Sequence, residues 1–447
     1  MALTGIEIFK LLPKTNCGDC DIPTCLAFAM SIAAGKTELD KCPHLSDEAR
    51  NYLEEASAPP IRMVEIGTGE RTVKTGGETV MFRHEKRFEN PPPIAFSISD
   101  MMDDKTINDQ IERFKTLRYE RAGSQLKAEM IVVVFNSQDS KKYLSLVKNA
   151  LENTDAALML ACHEPDVLEQ ALQLSGHTRP LIYGADSNNI DTMLELAKKF
   201  SCPLCIKGAN LEEVMTLAER ATTVGFKDLV MDSGAKTIKQ AFNDQVSIRR
   251  SALINKNRLL GFPTIVFPGE MTDDPLKETL YASILIAKYA SLIVLNETRP
   301  ETLFPLLVER MNIFTDPQRP LATKEGIYEI GKPDENSPVL ITSNFSLTYF
   351  LLTGEIETSR VPSYLLVKDT EGLSIMTAWA AGKFSADNIS EFVKKCGIEE
   401  KVAHRKLIIP GYVGFESSGL GCELEEWEIL IGPREAAHLP AYLKNWR

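Results

Sequence analysis

The sequence predicts an α/β protein in three parts: a small N-terminal cysteine segment, a central parallel barrel of the (β/α)8 (TIM) type, and a smaller, open C-terminal α/β domain of the doubly wound, Rossmann-like kind. Three observations carry this. Eight short apolar runs alternate with amphipathic stretches between residues 94 and 295, the alternation restarts after Gly331-Lys332-Pro333, and four of the nine cysteines fall within the first 42 residues. A chain of 447 residues accommodates about three domains at roughly 150 residues each.

Taken in order, the N-terminal segment reads as short helices around a cysteine loop: Gly5–Leu12, Thr24–Ala34 with Thr24 as N-cap and Gly35 as C-cap, and Ser46–Glu55. Ala58-Pro59-Pro60 ends the third helix. Ile61–His84, punctuated by Gly67, Gly69, Gly76 and Gly77, reads as a small strand-rich linker closed by Pro91-Pro92-Pro93.

The eight strands expected next are Ile94–Ser97, Ile131–Phe135, Ala157–Ala161, Leu181–Gly184, Leu204–Lys207, Leu229–Asp232, Thr264–Phe267 and Leu292–Leu295. Helical patterns lie between them, among them Ile107–Leu117, Lys142–Leu151, Leu168–Leu174, Met193–Phe200, Leu211–Ala221 and Leu276–Tyr289. Eight is the number at which parallel strands commonly close, so a barrel is expected over an open sheet. The last block offers strands Val339–Thr342, Tyr364–Val367, Leu373–Thr377, Leu407–Ile409 and Trp427–Ile431, with helices Phe345–Leu352, Asn388–Cys396 and Arg434–Leu443. The expected boundaries are 1–57 for the cysteine segment, 58–92 for the linker, 93–325 for the barrel and 326–447 for the C-terminal domain.

Lys and Arg total 50 against 62 Asp and Glu, a net charge of −12, and no basic run interleaves with aromatics, so nucleic acid is not an expected partner. The longest apolar tract, Ala282–Asn296, contains Lys288 and is shorter than the roughly 20 residues of a spanning helix. With no secretory signal visible at the start, a cytoplasmic address is expected.

Cys17-x2-Cys20-x4-Cys25-x16-Cys42 offers four thiolates in a segment too small for a large core, which calls for a metal centre. One couple followed by two single cysteines fits a 4Fe–4S cluster better than structural zinc, which usually pairs two couples. Cys25, on the first turn of a helix, gains thiolate stabilisation from the helix dipole. Cys202 and Cys205, with Cys162, Cys396 and Cys422, read as buried structural thiols. None of the six histidines has metal-ligand spacing. Asp232, ending the sixth barrel strand, is the one carboxylate at a catalytic-face position, with helix capping as its plainer reading.

Strand ends in the C-terminal block run into small residues: Thr342-Ser343-Asn344, Gly372-Leu373-Ser374, Pro410-Gly411-Tyr412-Val413-Gly414 and Gly432-Pro433-Arg434-Glu435. Such loops let backbone groups reach a large flat ligand beyond the carboxyl ends of the strands, or are simply tight turns.

In this order of parts, and in the stretches Asn16-Cys17-Gly18-Asp19-Cys20, Pro23 to Ala29, Thr342 to Tyr349 and Ile431 to Ala436, the chain resembles the large subunits of corrinoid/iron–sulfur proteins. The resemblance covers essentially the whole chain. It implies a methyl carrier of the reductive acetyl-CoA pathway, whose corrinoid cobalt accepts a methyl group from methyltetrahydrofolate or a related pterin through a methyltransferase. The methyl group then passes to acetyl-CoA synthase/CO dehydrogenase. It further implies a heterodimer with a small subunit, a barrel that serves as interface scaffold, and a reductive activator or ferredoxin as electron source. By match to the family's loops, Thr342, Asn344, Thr348, Gly372, Leu373, Ser374, Thr377, Gly411, Gly414 and Gly432 are expected near the corrinoid, Ser374 or Thr377 toward the lower cobalt face. No histidine stands in a D-x-H-x-x-G motif, so a base-off corrinoid is expected, its cobalt(I) state favoured by the missing donor. The Cys17/Cys20/Cys25/Cys42 cluster would return oxidised cobalt to that state, and a mobile cluster segment is expected about the 58–92 linker. Two alternatives remain: an electron-transfer protein that activates a separate corrinoid protein, and a pterin-dependent methyltransferase barrel using Asp232.

Overall fold

The computed structural model describes residues 4–33, 36–46, 49–50, 53, 58–121, 124–297, 299–318 and 320–446. The chain separates into two compact units, one of residues 1–81, 89–112 and 129–302, the other of residues 82–88, 113–128 and 303–447.

In the first unit, helices α1 (Gly5–Leu11) and α2 (Cys25–Ala33) flank the cysteine loop. Thr4 caps α1 in a capping box with Glu7, and the Thr24 hydroxyl accepts the Ala27 N–H as the N-cap pattern predicts. The expected C-cap Gly35 and most of the expected helix 46–55 lie outside the described residues. Strands β1 (Met63–Ile66) and β2 (Val73–Gly76) form an antiparallel hairpin.

All eight expected barrel strands are present: β3 (Ile94–Ser99), then, past a short hairpin of β4 (Tyr119–Arg121) and β5 (Ser124–Leu126) in the second unit, β6 (Met130–Val134), β7 (Ala157–Ala161), β8 (Leu181–Ala185), β9 (Leu204–Lys207), β10 (Leu229–Asp232), β11 (Ile265–Val266) and β12 (Leu292–Leu295). They pair in parallel in the order β10-β9-β8-β7-β6-β3-β12-β11, and a parallel bridge between Met231 and Thr264 closes the ring. The strands are apolar on both faces because one face fills the barrel and the other meets helices. Gly184 carries a register shift, between Tyr183 and Ala185; its φ is +126° and a Cβ there would lie 2.7 Å from the Cys162 carbonyl oxygen. Asp139, Asn210, Thr237 and Asp274 end strand-to-helix loops by capping the following helices with their side chains.

Most of the stretch expected as a linker, residues 58–81, belongs with this barrel. Val64 and Ile66 are fully buried in one core with Ala95, Met130, Met159, Leu181 and Leu292, so the hairpin forms the barrel's floor. Arg62 N–H donates to Gly261, Gly67 N–H to Arg179, and the Thr75 hydroxyl to the Ser291 carbonyl. Behind β2, Glu78 and Arg249 form a buried ion pair at 3.0 Å, the guanidinium also donating to the Val80 carbonyl. Breaking such a pair from one side costs about 3–5 kcal/mol. Arg258 donates to the carbonyls of Ala58 and Pro59, tying the proline breaker to the same body.

The C-terminal sheet comprises β13 (Gly326–Ile330), β14 (Val339–Ser343), β15 (Ser363–Lys368), β16 (Lys406–Ile409) and β17 (Glu428–Ile431), in the order β13-β15-β14-β16-β17, parallel except for β13. Alternate strand residues divide between two cores. Val339, Ile341, Leu366, Leu407 and Ile409 face one, and Leu340, Leu365, Val367 and Ile408 the other. That period-two split is what helices on both faces require.

Two expectations are corrected. Leu373–Thr377 is a turn followed by helix Ile375–Ala380, because β15 is already paired on both sides by β13 and β14 and leaves no edge for a further strand. Cys422 is exposed, not buried, while Cys396 is half-buried. Cys162, Cys202 and Cys205 are buried thiols as expected, desolvation pushing Cys162 up to about 11, Cys202 up to about 12 and Cys205 well above its ordinary value.

Candidate functional site

Three thiols of the N-terminal segment, Cys20, Cys25 and Cys42, are 7, 8 and 5 % exposed and share one small core with Ile8, Leu12, Phe28, Ala29 and Leu45; Cys17 is exposed. The loop reaches this arrangement through left-handed backbone at Lys14, Asn16, Gly18 and Asp21, unusual for the three that are not glycine. The Asn16 side-chain oxygen accepts the Cys25 N–H at 2.8 Å, fixing the helix start on the thiol that the dipole favours. Such a donor set, soft thiolates in an apolar pocket with a segment too small to hold itself, fits an iron–sulfur cluster. Beside the exposed thiol, His44 Nε2 lies 2.6 Å from Asp19 Oδ2, and hydrogen bonds from His44 and Cys17 hold the Asp19 carboxyl below its ordinary range. Spacing alone did not single out Asp19 or His44.

At the C-terminal sheet the chain runs from β14 to β15 on one side and returns to β16 on the other, so the topological switch point lies between β14 and β16. A cavity of about 280 Å³ opens there, lined by Leu340 and Ile341 of β14, Ile408 and Ile409 of β16, Thr348 and Leu352 of helix Ser346–Ser359, Ser374, Met376, Tyr412, Gly432 and Arg434. Leu347, Phe350, Leu351, Met376, Trp379, Tyr412, Phe415 and Ile431, on the segments that leave these strand ends, are exposed apolar side chains. Thr342 and Ser343, at the end of β14, are wholly buried, and their hydroxyls make no hydrogen bond. Buried hydroxyls without partners are costly enough to be rare. An apolar rim around a cavity at the switch point, with orphaned hydroxyls at the end of the strand that lines it, fits a large, mostly apolar ligand with polar arms, as a corrinoid is.

The ten expected residues divide by what they do. Thr348, Ser374 and Gly432 line the cavity. Ser374 and Thr377 hydroxyls lie 3.1 Å apart, with Thr377 exposed. Asn344 organises a loop: its oxygen accepts the N–H groups of Thr370 and Gly372 and the Thr370 hydroxyl, and its amide donates to Asp369. Gly372 takes φ +76° against the Pro320 carbonyl, and Leu373 packs on the domain core. Gly411 is required where two strand ends meet, since a Cβ there would lie 2.5 Å from the Gly432 carbonyl oxygen; Gly414 lies against Ile431. Ser343, which the family match passed over, was legible only as one more small residue in Thr-Ser-Asn. His404 is held at the start of β16, its Nε2 at the Ser337 carbonyl and its Nδ1 accepting the Lys406 N–H; His438 lies exposed between the lining residues Ala436 and Leu439.

Asp232 is not a helix cap, a role Thr237 fills for the following helix. Its Oδ2 accepts the Tyr183 hydroxyl at 2.7 Å and its Oδ1 the Gly234 N–H at 2.8 Å, while Lys207 donates to the Tyr183 oxygen at 2.9 Å. Burial pushes its carboxyl above the ordinary range despite Lys207 nearby. Both oxygens are engaged from within.

A closed barrel, a thiol-rich segment with the donor set of a cluster, and an open sheet with an apolar, part-unsatisfied switch point define a class: barrel proteins fitted with two additional cofactor-type sites. The family follows from comparison. Residues 63–443 match the family of CO dehydrogenase/acetyl-CoA synthase delta subunits, and residues 12–44 match an Fe-S cluster family. The corrinoid/iron-sulfur protein large subunit of Moorella thermoacetica is 42% identical over 444 residues, 99% of either chain. The acetyl-CoA decarbonylase/synthase complex gamma subunit of Methanopyrus kandleri is 35% identical over 457 residues, 99% of this chain and 98% of that one. The chain belongs to this family of complex subunits. The family description names the delta subunit, whereas these full-length relatives are large and gamma subunits. Dihydropteroate synthase from Thermus thermophilus matches 50% of this chain and 92% of its own at 15% identity, with a TM-score of 0.37. Among the described residues no helix is long and apolar enough to cross a membrane.

Proposed function

We propose that the chain is the large subunit of a corrinoid/iron–sulfur methyl carrier of the reductive acetyl-CoA pathway. The observation that carries this is the pairing, in one chain, of a four-thiol segment with an apolar switch point whose buried Thr342 and Ser343 hydroxyls have no partner. In this reading Cys17, Cys20, Cys25 and Cys42 hold a 4Fe–4S cluster within residues 1–57. Residues 58–92 join it to the barrel of 93–325, and residues 326–447 hold the corrinoid. When bound, the corrinoid supplies a base-off cobalt that takes up and releases a methyl group, and the cluster supplies the electron that restores it after accidental oxidation.

The chain's own residues bind and orient. Thr342, Ser343 and Thr348 hydroxyls and the Gly432 backbone meet the ligand's polar arms, and the cavity, smaller than a corrin ring, takes an arm while the ring lies on the apolar rim. Asn344, Gly372 and Gly411 shape the loops, Leu373 and Gly414 support them, and Ser374 and Thr377 present hydroxyls toward the ring. The barrel is a scaffold for a small subunit, which agrees with the internally satisfied Asp232. Exchange partners are a methyltetrahydrofolate methyltransferase and acetyl-CoA synthase/CO dehydrogenase, with a reductive activator or ferredoxin as electron source, all in the cytoplasm.

Metal analysis of the anaerobically purified chain, alone and with its small subunit, tests this. About four irons and one cobalt per heterodimer are expected, with a cobalt(II) resonance lacking nitrogen splitting and unchanged in His438→Ala. Iron without cobalt in the heterodimer would leave the electron-transfer reading instead.

A further inference from the structure

The four thiols are not equivalent. Cys20, Cys25 and Cys42 are buried in the segment's core, whereas Cys17 is exposed and has two other metal-binding groups beside it. Its Sγ, an Asp19 carboxylate oxygen and a His44 ring nitrogen all lie within 4.8 Å of one another. Asp19 comes from inside the Cys17–Cys20 turn and His44 from two residues beyond Cys42, so both arms of the cysteine loop contribute, and the 2.6 Å contact between them brings the arms together. Metal–ligand bonds of about 2.0–2.3 Å place neighbouring donors about 3–4 Å apart, so small side-chain rotations would let these atoms reach one ion. Iron accepts imidazole and carboxylate as well as thiolate, and histidine replaces cysteine on iron in one known class of iron–sulfur centre.

We propose that Asp19 and His44 are reserve iron ligands at the Cys17 corner of the cluster, an inference that rests on the cluster reading given above. When the Cys17 thiolate is absent or displaced, the iron it held passes to the neighbouring carboxylate or imidazole and the cluster persists. The exchange breaks one iron–sulfur bond, forms one iron–oxygen or iron–nitrogen bond and changes no oxidation state; a displaced thiolate takes a proton from water. Among the described residues such a group of donors gathers at Cys17 and not at the three buried thiols, so the tolerance belongs to one corner.

The test compares full-length, anaerobically prepared wild type with Cys17→Ala, Cys20→Ala, Cys25→Ala, Cys42→Ala and the triple variant Cys17→Ala/Asp19→Ala/His44→Ala. Iron, sulfide, the reduced-cluster EPR signal and the midpoint potential are read, with circular dichroism as the check that each variant folds. Cys17→Ala is expected to keep its iron and sulfide and to show a more positive potential, because a nitrogen or oxygen donor gives the iron less charge than a thiolate. The other single variants and the triple variant are expected to lose iron about tenfold or more to a chelator relative to Cys17→Ala. Loss from Cys17→Ala as complete as from Cys20→Ala, or retention in the triple variant equal to that in Cys17→Ala, would overturn the proposal. Wild type free of iron and sulfide would instead overturn the cluster reading beneath it.

Discussion

The chain contains a parallel barrel and a mostly parallel open sheet, and each ends at a place where α/β proteins commonly bind ligands. At the barrel's carboxyl end the ionisable groups answer one another: Lys207 donates to Tyr183, Tyr183 to Asp232, and Gly234 closes the remaining oxygen. At the carboxyl end of the C-terminal sheet, the Thr342 and Ser343 hydroxyls are buried without partners, and the cavity at the switch point has exposed apolar side chains around it. Topology marks both ends as candidates; the spent bonding capacity of Lys207, Tyr183 and Asp232 and the open hydroxyls of Thr342 and Ser343 set these two groups of residues apart. A residue's place on a fold is therefore a weaker guide to use than whether its bonding capacity is already spent.

The largest expected effect breaks the open end by filling it. Thr348→Trp drives a ring into the cavity, and overpacking of about 1–3 kcal/mol would weaken corrinoid retention about tenfold to a hundredfold, read as cobalt per chain after dialysis. Unchanged cobalt would remove the cavity from the site.

A smaller effect sharpens the contrast because it has two signs. Thr342→Val replaces an orphaned hydroxyl with a methyl of similar shape, so the ligand-free chain should gain up to about 1 kcal/mol in denaturant unfolding while corrinoid binding loses about as much. Equal losses in both measurements would mean that the hydroxyl has a structural partner.

The smallest concerns the closed end. Burial raises the Asp232 carboxyl, so the folded chain holds that proton more tightly than the unfolded chain does. Its ionisation therefore opposes folding: stability is highest below the ordinary carboxylate range and falls as pH rises from there through the raised value. Asp232→Asn removes this dependence, and its melting temperature relative to wild type should improve across that window, with cobalt and iron contents unaltered. A pH-independent difference would show that the carboxylate is not desolvated, and a loss of cobalt would make the barrel mouth part of the site.

The barrel was legible because each strand, buried on both faces, leaves a continuous apolar run bounded by polar loops, and helix-cap residues such as Asp139 and Asn210 punctuate it. The edge strand β13 was not, since Gly326–Ile330 stops at Gly331-Lys332-Pro333 and reads as the approach to a turn. Leu373–Thr377 has strand-like residues, but the strand it follows, β15, is paired on both sides, and which strands keep a free edge is a property of the assembled sheet. The same holds for the sites. The four cysteines stand out as candidates by spacing, and Thr342, Thr348, Ser374 and Gly432 by their loops. The loop-organising bonds of Asn344, the orphaned Ser343 hydroxyl and the nearness of Asp19 to His44 arise only when separate segments meet.

The hairpin that floors the barrel decides where this protein can be cut. Val64 and Ile66 fill the amino end of the ring, so a fragment beginning at residue 93 would lack that floor, leave the apolar barrel core it covers open to water and be expected to aggregate. A fragment beginning at residue 58 carries its own plug, along with the Glu78 carboxylate that meets Arg249. Anyone wishing to transplant the cluster segment, or express the remainder without it, has the usable seam before Ala58 rather than at the triple proline.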